Sequence, residues 1–404
     1  MLMSALVIGC QDDEQVLIPD YRRDDILAAT QQLPERSLDL LQGVYRVVEG
    51  KPLLGDEVVL HASGRTLSLF TGRDACHAIL EGGWRDSAVI FAGYWRKQVN
   101  LETGVMSFRI EASEGGAEVL RGGASAALRI RGAYGNASGA GDRALLLEYV
   151  RPLYAGAPDF LIIAHRAGGR NSDYLPASEN SAELVRLAER YGANGVEIDV
   201  QLSRDGVPVV YHDEDLNERL TRKSGLVGSV SDYTIAQLET FVRLKNGERI
   251  PTLRRMLATI LRNTTLRFVW LDSKATVPIA LLRDIQRAYA DSALAMGRTL
   301  DIVIGVPDEE KYDELLRVPS FADARVLCEL DVDRVRACQA EYWAPRWTLG
   351  TLNSDVATMQ AEQRKVLSWT LDDPVYMRRF LTEGRFDGIL TNYPSVLAFQ
   401  HFSR

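Results

Sequence analysis

Four cysteines in 404 residues are too few to organise a fold. Cys10, Cys76, Cys328 and Cys338 include no pair at zinc-finger or CxxC spacing, so neither a disulfide framework nor a cysteine-based zinc site shapes this chain. Cys328 and Cys338 could be partners, but buried free thiols are the favoured reading. An excess of positive charge is also missing. The formal net charge is −8 and the pI is near 5.4, which argues against nucleic acid as a partner and against broad capture by an anionic membrane. Beyond the first ten residues no run approaches the roughly 20 apolar residues needed to span a bilayer. Low-complexity tracts, internal repeats and a glycine-rich dinucleotide turn are absent too. What is present is ordinary globular composition, 46% apolar and 25% charged, in a chain long enough for two cores.

The first ten residues, MLMSALVIGC, stand apart. A short apolar run ends in Val7-Ile8-Gly9-Cys10 and is followed at once by Gln11-Asp12-Asp13-Glu14. That resembles the end of a bacterial lipoprotein signal, in which the cysteine is lipidated after cleavage. The stretch carries no basic n-region and is short for a signal core. A membrane tether through Cys10, and with it a bacterial envelope location, is one expectation. A frayed apolar terminus on a cytoplasmic protein is the other.

Sequence character changes near Arg151-Pro152. From about Leu41 to Val150, short strand-like runs dominate: Gly43–Val48, Glu57–His61, Thr66–Phe70, Ala88–Tyr94, Met106–Ile110 and Leu145–Val150. Glycine-bearing turns separate them, and strands at this spacing predict an all-β sandwich or small barrel. A helix is expected upstream over Tyr21–Gln32, and Gly132–Asp142 reads as an exposed loop. After Pro158, apolar strands alternate with amphipathic helices. Strands are expected at Phe160–Ala164, Gly195–Leu202, Val207–His212, Arg267–Asp272, Asp301–Val306, Arg325–Leu330, Tyr342–Trp347, Val366–Leu371 and Gly388–Thr391. Helices are expected over Ser181–Tyr191 and Thr234–Arg243, among others. About 245 residues of repeating βα texture predict a (β/α)₈ TIM barrel. The chain therefore divides into an N-terminal segment (1–35), a β-rich domain (36–152) and a barrel (158–404).

In such a barrel the reactive groups sit at the C-terminal ends of the strands. His165 and Arg166 close the first strand. Glu197 and Asp199 lie two residues apart in the second, so strand alternation turns both carboxylates to one side. Val196, Ile198 and Val200 between them mark a buried strand, where unpaired carboxylates are costly. Hard oxygen ligands facing one cavity suit Ca²⁺ or Mg²⁺. His212-Asp213 follows the apolar run Val207–Tyr211, and Asp272 and Lys274 repeat the two-residue spacing. A cation that neutralises a phosphate, positive charge from Arg166 and Lys274, and two imidazoles to move protons together make a proposal of phosphoryl chemistry.

At these residues the sequence resembles the glycerophosphodiester phosphodiesterase family. Ala164-His165-Arg166-Ala167-Gly168-Gly169 is similar to its opening His-Arg-Gly, and Ser178-Glu179-Asn180-Ser181 to its Pro-Glu-Asn-Thr. Gly192-Ala193-Asn194-Gly195-Val196-Glu197-Ile198-Asp199-Val200 follows, then Asp205 to Asp213, Arg249-Ile250-Pro251-Thr252-Leu253, Trp369-Thr370-Leu371 and Asp387 to Pro394. The likeness runs in order over about residues 159–403. It implies a divalent ion held by Glu197, Asp199 and Asp272, phosphate contacts from Arg166 and Lys274, and an acid/base pair of His165 and His212. Glu179, Asn180, Asp213, Trp369 and Asn392 take supporting positions. The implied reaction splits a glycerophosphodiester into glycerol 3-phosphate and an alcohol by way of a cyclic phosphate.

Three departures stand out. Asp272-Ser273-Lys274 replaces the usual Glu-x-Lys, the loop reads Arg-Ala-Gly-Gly with Pro176 three residues before Glu179, and Asn392 replaces a frequent aspartate. Two further readings stay open: a phospholipase D-like enzyme acting on lysophospholipids, and a catalytically silent envelope binding protein that works through its β domain. Trp84, Tyr94 and Trp95 in that domain read mainly as core. The expected partner is a small-molecule or lipid-derived phosphodiester.

Overall fold

The computed structural model describes residues 18–22, 26–34, 36–98, 100, 102–124, 127–137, 141–274 and 276–404. Cys10, and with it the tether expectation, lies outside the described residues.

The N-terminal part is built from β1 (Gln31–Gln32), β2 (Gly43–Glu49), β3 (Glu57–Ser63), β4 (Thr66–Thr71), β5 (Cys76–Arg85), β6 (Ala88–Lys97), β7 (Thr103–Ile110), β8 (Arg129–Tyr134) and β9 (Arg143–Arg151). Strands β2 to β9 pair antiparallel with their sequence neighbours, and β9 closes on β2. This is a closed up-and-down barrel, the second of the two β architectures the turn spacing allowed. Closure leaves none of the eight strands with a bare edge. The lumen is solid: Tyr45, Val47, Leu60, Leu69, Leu80, Phe91, Trp95 and Phe108 pack into one cluster. Trp95 is thus core, and Trp84 packs partly buried against the same cluster.

The helix expected over Tyr21–Gln32 is not what the described residues of that stretch form. They make turns and then β1, which pairs with Gly83 and Trp84 of β5. Ala29 adopts a positive φ of 57°, and Thr30 bonds back to the Leu27 carbonyl. Pairing with an available strand has overridden local helical periodicity.

The C-terminal part contains β10 (Leu161–Ala164), β11 (Gly195–Leu202), β12 (Pro208–Val210), β13 (Phe268–Ser273), β14 (Asp301–Val306), β15 (Val326–Cys328), β16 (Tyr342–Trp343), β17 (Lys365–Ser368) and β18 (Gly388–Thr391). Eight of these run parallel in the order β10-β11-β13-β14-β15-β16-β17-β18, and β18 closes on β10. Nine strand-like runs thus supply eight staves. The ninth, β12, is antiparallel to β11. Its connection is the tight turn around Gly206 (φ 76°), and a parallel crossover needs a dozen residues or more. The hairpin brings His212 beside Asp199 of β11.

Helices cover the outside. Leu253–Asn263 shows why they form: Thr252 caps it by accepting from the Arg255 amide, and Leu253, Met256, Leu257, Ile260 and Leu261 make one buried stripe. Each such side chain stabilises the packed state by about 1.5–3 kcal/mol. Leu161, Ile163, Phe268, Trp270, Val303, Leu327, Tyr342, Leu367 and Leu390 fill the lumen, so the cavity for chemistry is confined to the C-terminal mouth. No helix among the described residues is long and apolar enough to cross a membrane.

The two barrels share a buried face. Outward-pointing Val44, Val59 and Phe70 of the β barrel join the core that includes Val396, Ala398 and Phe399 of the last helix, Pro394–Phe402. Ile79 and Tyr94 pack with Leu175, Ala177, Leu184 and Tyr191. Tyr94 is therefore neither lumen core nor an open binding face.

Candidate active site

Strand β11 carries the site. Val196, Ile198 and Val200 face the surrounding helices as part of their core, which turns Glu197 and Asp199 into the mouth. Asp272 on β13 is the direct cross-strand partner of Asp199, and Trp270 of Glu197. One oxygen from each of Glu197, Asp199 and Asp272 lies within 4.8 Å of the others. The shorter side chain of Asp272 therefore still reaches the group. Two carboxylate charges at that separation repel by about 3–4 kcal/mol at an effective dielectric near 20. Lys274 lies 2.7 Å from Asp199 Oδ1 and also bonds Asp272, but one ammonium leaves the triad at a formal −2.

Electrostatics follow that excess. Burial, then the charges of Asp199 and Asp272, pushes the Glu197 carboxyl well above its usual range. Burial raises Asp272 likewise. Burial also works against ionised Asp199, but Lys274 and the two imidazoles outweigh it and hold that carboxyl below the usual range. The same carboxylates raise the Lys274 ammonium against its own burial. Glu197 Oε1 is buried without a hydrogen-bond partner, although buried acceptors are normally satisfied. A −2 cluster of hard oxygens with an orphaned lone pair fits a divalent cation such as Ca²⁺ or Mg²⁺. Glu197, Asp199 and Asp272 are the residues that would hold it.

Both histidines reach the triad. His165 Nε2 is 3.6 Å from Glu197 Oε2, and His212 Nε2 is 3.9 Å from Asp199 Oδ1. Each ring is fixed from behind. His165 Nδ1 lies 2.8 Å from Asn392 Oδ1, and that amide is oriented because its Nδ2 donates to Asp372. His212 Nδ1 lies 2.6 Å from Asp213 Oδ1. In both rings the acceptor behind sets Nδ1 as the protonated nitrogen and aims Nε2 into the site. Burial, then Arg166, pushes His165 down to about 4, so it is neutral near pH 7.

Arg166 links the parts. Its amide donates to Glu197 Oε2 at 2.8 Å, and its guanidinium contacts Glu179 Oε1 at 2.8 Å and His212 Nε2 at 2.7 Å. The residue takes φ 51°, ψ 43°, a conformation that is uncommon without glycine and that clusters at functional sites. Asn180 donates to Asp199 Oδ2 at 2.7 Å. Trp369 caps the lumen and sits under the Arg346 guanidinium at 4.8 Å.

All twelve residues singled out from sequence thus fall around one mouth. Four neighbours escaped that reading. Arg219 binds both Asp213 and Glu179, Asn217 donates to Asp213 at 2.7 Å, and Asp372 orients Asn392. Glu329, just past β15, is raised to about 8 by burial and then by Asp272. An acidic residue directly after β15 and another four residues past β17 were a usable signal for Glu329 and Asp372. Arg219 and Asn217 lie in a loop without periodicity and gave none.

The fold and this centre define a (β/α)₈-barrel protein with a carboxylate cluster that could hold a cation, flanked by two imidazoles. Residues 165–301 match the glycerophosphoryl diester phosphodiesterase family. Mouse glycerophosphodiester phosphodiesterase 1 is 34% identical over 132 residues, 31% of this chain and 38% of the relative. A glycerophosphodiester phosphodiesterase of Bacillus altitudinis is 26% identical over 255 residues, 58% of this chain and 94% of its own. Among solved structures, an Oleispira antarctica phosphodiesterase in complex with the product sn-glycerol-3-phosphate is 22% identical at a TM-score of 0.46, covering 59% of this chain and 95% of its own. The chain spans little more than a third of the length of the mouse relative. The likeness to that family is carried by residues 165–301, within the barrel.

Proposed function

We propose that the protein hydrolyses glycerophosphodiesters to glycerol 3-phosphate and an alcohol. The observation that carries this reading is the convergence of two ring nitrogens, His165 Nε2 and His212 Nε2, on one acidic triad. A bound divalent ion would supply Lewis-acid neutralisation of the phosphate. Arg166 and Lys274 add positive charge where negative charge develops. His165, neutral and directed by Asn392, takes the proton of the substrate's glycerol hydroxyl as its oxygen attacks phosphorus. His212 gives a proton to the departing alcohol oxygen. The Asp213 carboxylate behind it holds the ring in place through Nδ1, and Arg166 turning to the phosphate frees Nε2 to carry that proton. Water then opens the cyclic phosphate with the two roles exchanged.

A second reading, a phospholipase D-like action on lysophospholipids, is favoured by one observation. Leu349, Val375 and Tyr376, in the segments after β16 and β17 on the face that holds the site, are exposed apolar side chains, and Tyr376 packs on Trp347.

The test offers glycerophosphocholine, glycerophosphoethanolamine and a lysophospholipid to the purified protein, with EDTA and with Ca²⁺ or Mg²⁺ restored. Cation-dependent release of glycerol 3-phosphate from the soluble diesters supports the first reading. Preference for the lysophospholipid supports the second. No turnover of any diester by folded protein overturns both and leaves a silent binding protein.

A further inference from the structure

Arg96 is 1% exposed, yet among the described residues no carboxylate forms an ion pair with it; the Asp173 charge acts on it only from further off. It stands on the outer face of β6, turned toward the (β/α)₈ barrel. Its Nη2 donates to the Asp173 carbonyl at 2.9 Å, and its Nε and Nη1 are buried without partners. Its cross-strand neighbour His77 also has both ring nitrogens unpartnered. Burying a guanidinium against one neutral acceptor is costly, and an apolar side chain of similar length would pack there more cheaply. Local rules are broken in this way mostly where position matters.

What that hydrogen bond holds is the loop from Arg170 to Asn180, and two arms lead from it to the site. In the first, Asn171 and Glu179 bond reciprocally: the Asn171 amide donates to Glu179 Oε2 at 2.7 Å, and the Glu179 amide to Asn171 Oδ1 at 2.8 Å. Glu179, itself buried, then receives Arg166. In the second, the Asp173 carboxylate accepts from Arg170 and from the Tyr393 hydroxyl, 3.1 Å away. Tyr393 follows Asn392, which directs His165. The packing of Leu175 and Ala177 on Ile79 and Tyr94 seats the same loop on the β barrel.

We propose that Arg96 is a positioning residue for the catalytic mouth. Through the Asp173 carbonyl it fixes the loop that carries Glu179, and so fixes Arg166. The β-rich barrel is then a buttress built into the site. This rests on the reading of the mouth as a phosphodiesterase centre, but the loop claim has its own readout.

The experiment uses the full chain. Arg96→Met removes the donor and keeps the volume. Gln98→Leu is the matched control, because Gln98 makes another buried bond across the same interface, to Ser395, and does not touch the loop. Two quantities are read in folded protein: kcat and KM for glycerophosphocholine, and the rate of tryptic cleavage after Arg170. The expected result for Arg96→Met is a KM raised about tenfold, a smaller fall in kcat, and faster cleavage after Arg170. Gln98→Leu stays within twofold in both. Arg96→Lys, which keeps a donor, recovers part of the loss. Unchanged KM and protection in folded Arg96→Met, or equal effects in the control, overturn the proposal. If the wild-type chain turns over no diester, proteolysis still decides the loop claim. Should Arg96→Met not fold, hydrogen exchange on the wild type decides. Residues 170–180 are expected to open together with β5 and β6 in mild denaturant, and opening well before those strands contradicts the account.

Discussion

Asp199 and Asp272 are cross-strand partners in the parallel pair β11 and β13, and both lean on the single ammonium of Lys274. This makes Lys274 a counter-ion as well as a candidate phosphate contact. Replacing it with methionine removes the ammonium that offsets the triad's own repulsion. Lys274→Met is expected to melt earlier than the wild type without added metal, to gain more in Tm when Ca²⁺ or Mg²⁺ is supplied, and to turn over at least about 10²-fold more slowly. Thermal melts with and without cation, beside initial rates, check all three.

Burial, and then repulsion from neighbouring carboxylates, raises the Glu197 and Asp272 carboxyls above their usual range. Carboxyls raised in the folded state favour the metal-free fold at low pH, and that contribution is lost as pH rises through the raised values. A cation must displace those protons, so its binding weakens as pH falls. Calorimetric titration of the metal-free protein at pH 8 and pH 6 is expected to show tighter binding at pH 8, with more protons released at pH 6. Equal affinity at both would contradict the raised carboxyls.

The acceptors behind the two rings act on proton transfer and not on binding. Asp213→Asn removes the carboxylate that accepts from His212 Nδ1 and leaves the ring in place. We expect kcat to fall by about 10²-fold, the usual scale for a displaced acid or base, with KM within threefold. His165→Ala and His212→Ala should each lose at least as much. Steady-state kinetics at pH 7 distinguish these outcomes from a loss of substrate affinity.

Three histidines outside the site, His61, His77 and His401, are buried and bear on acid stability. Burial pushes His77 and His401 down to about 3, whereas the unfolded chain titrates near 6.5. A depressed folded value contributes stability above the unfolded pKa and loses it as pH falls toward the folded one. Between about pH 6 and 4, each is expected to remove up to about 1.4 kcal/mol per pH unit. Denaturant unfolding across that range should show the slope shrink in His77→Phe, whose ring suits the apolar contact with Tyr191.

The site was legible from sequence because its geometry follows from short-range rules. Two-residue spacing on β11 fixes Glu197 and Asp199 to one side whatever surrounds them. Strand ends of an alternating βα pattern collect at one mouth, which brought His165 and Lys274 together. Residues whose partners are distant in sequence were not legible. Arg219 earns its place only by folding back on Asp213 and Glu179, and Arg96 only by meeting Asp173 across the two barrels. The stretch before β1 failed for the same reason, since the strand it pairs with lies some fifty residues on. The character of β12 was in the sequence, because a turn as short as Arg204-Asp205-Gly206 forbids a parallel stave.

Cation binding by wild-type protein and by Glu197→Gln tests the whole arrangement most directly, read by calorimetry beside turnover on the same samples. One Ca²⁺ or Mg²⁺ per chain in the wild type, with both binding and glycerol 3-phosphate release lost in the variant, is the result predicted. Wild-type affinity retained by Glu197→Gln, or turnover that continues with no ion bound, would contradict a carboxylate-held cation at the centre of the site.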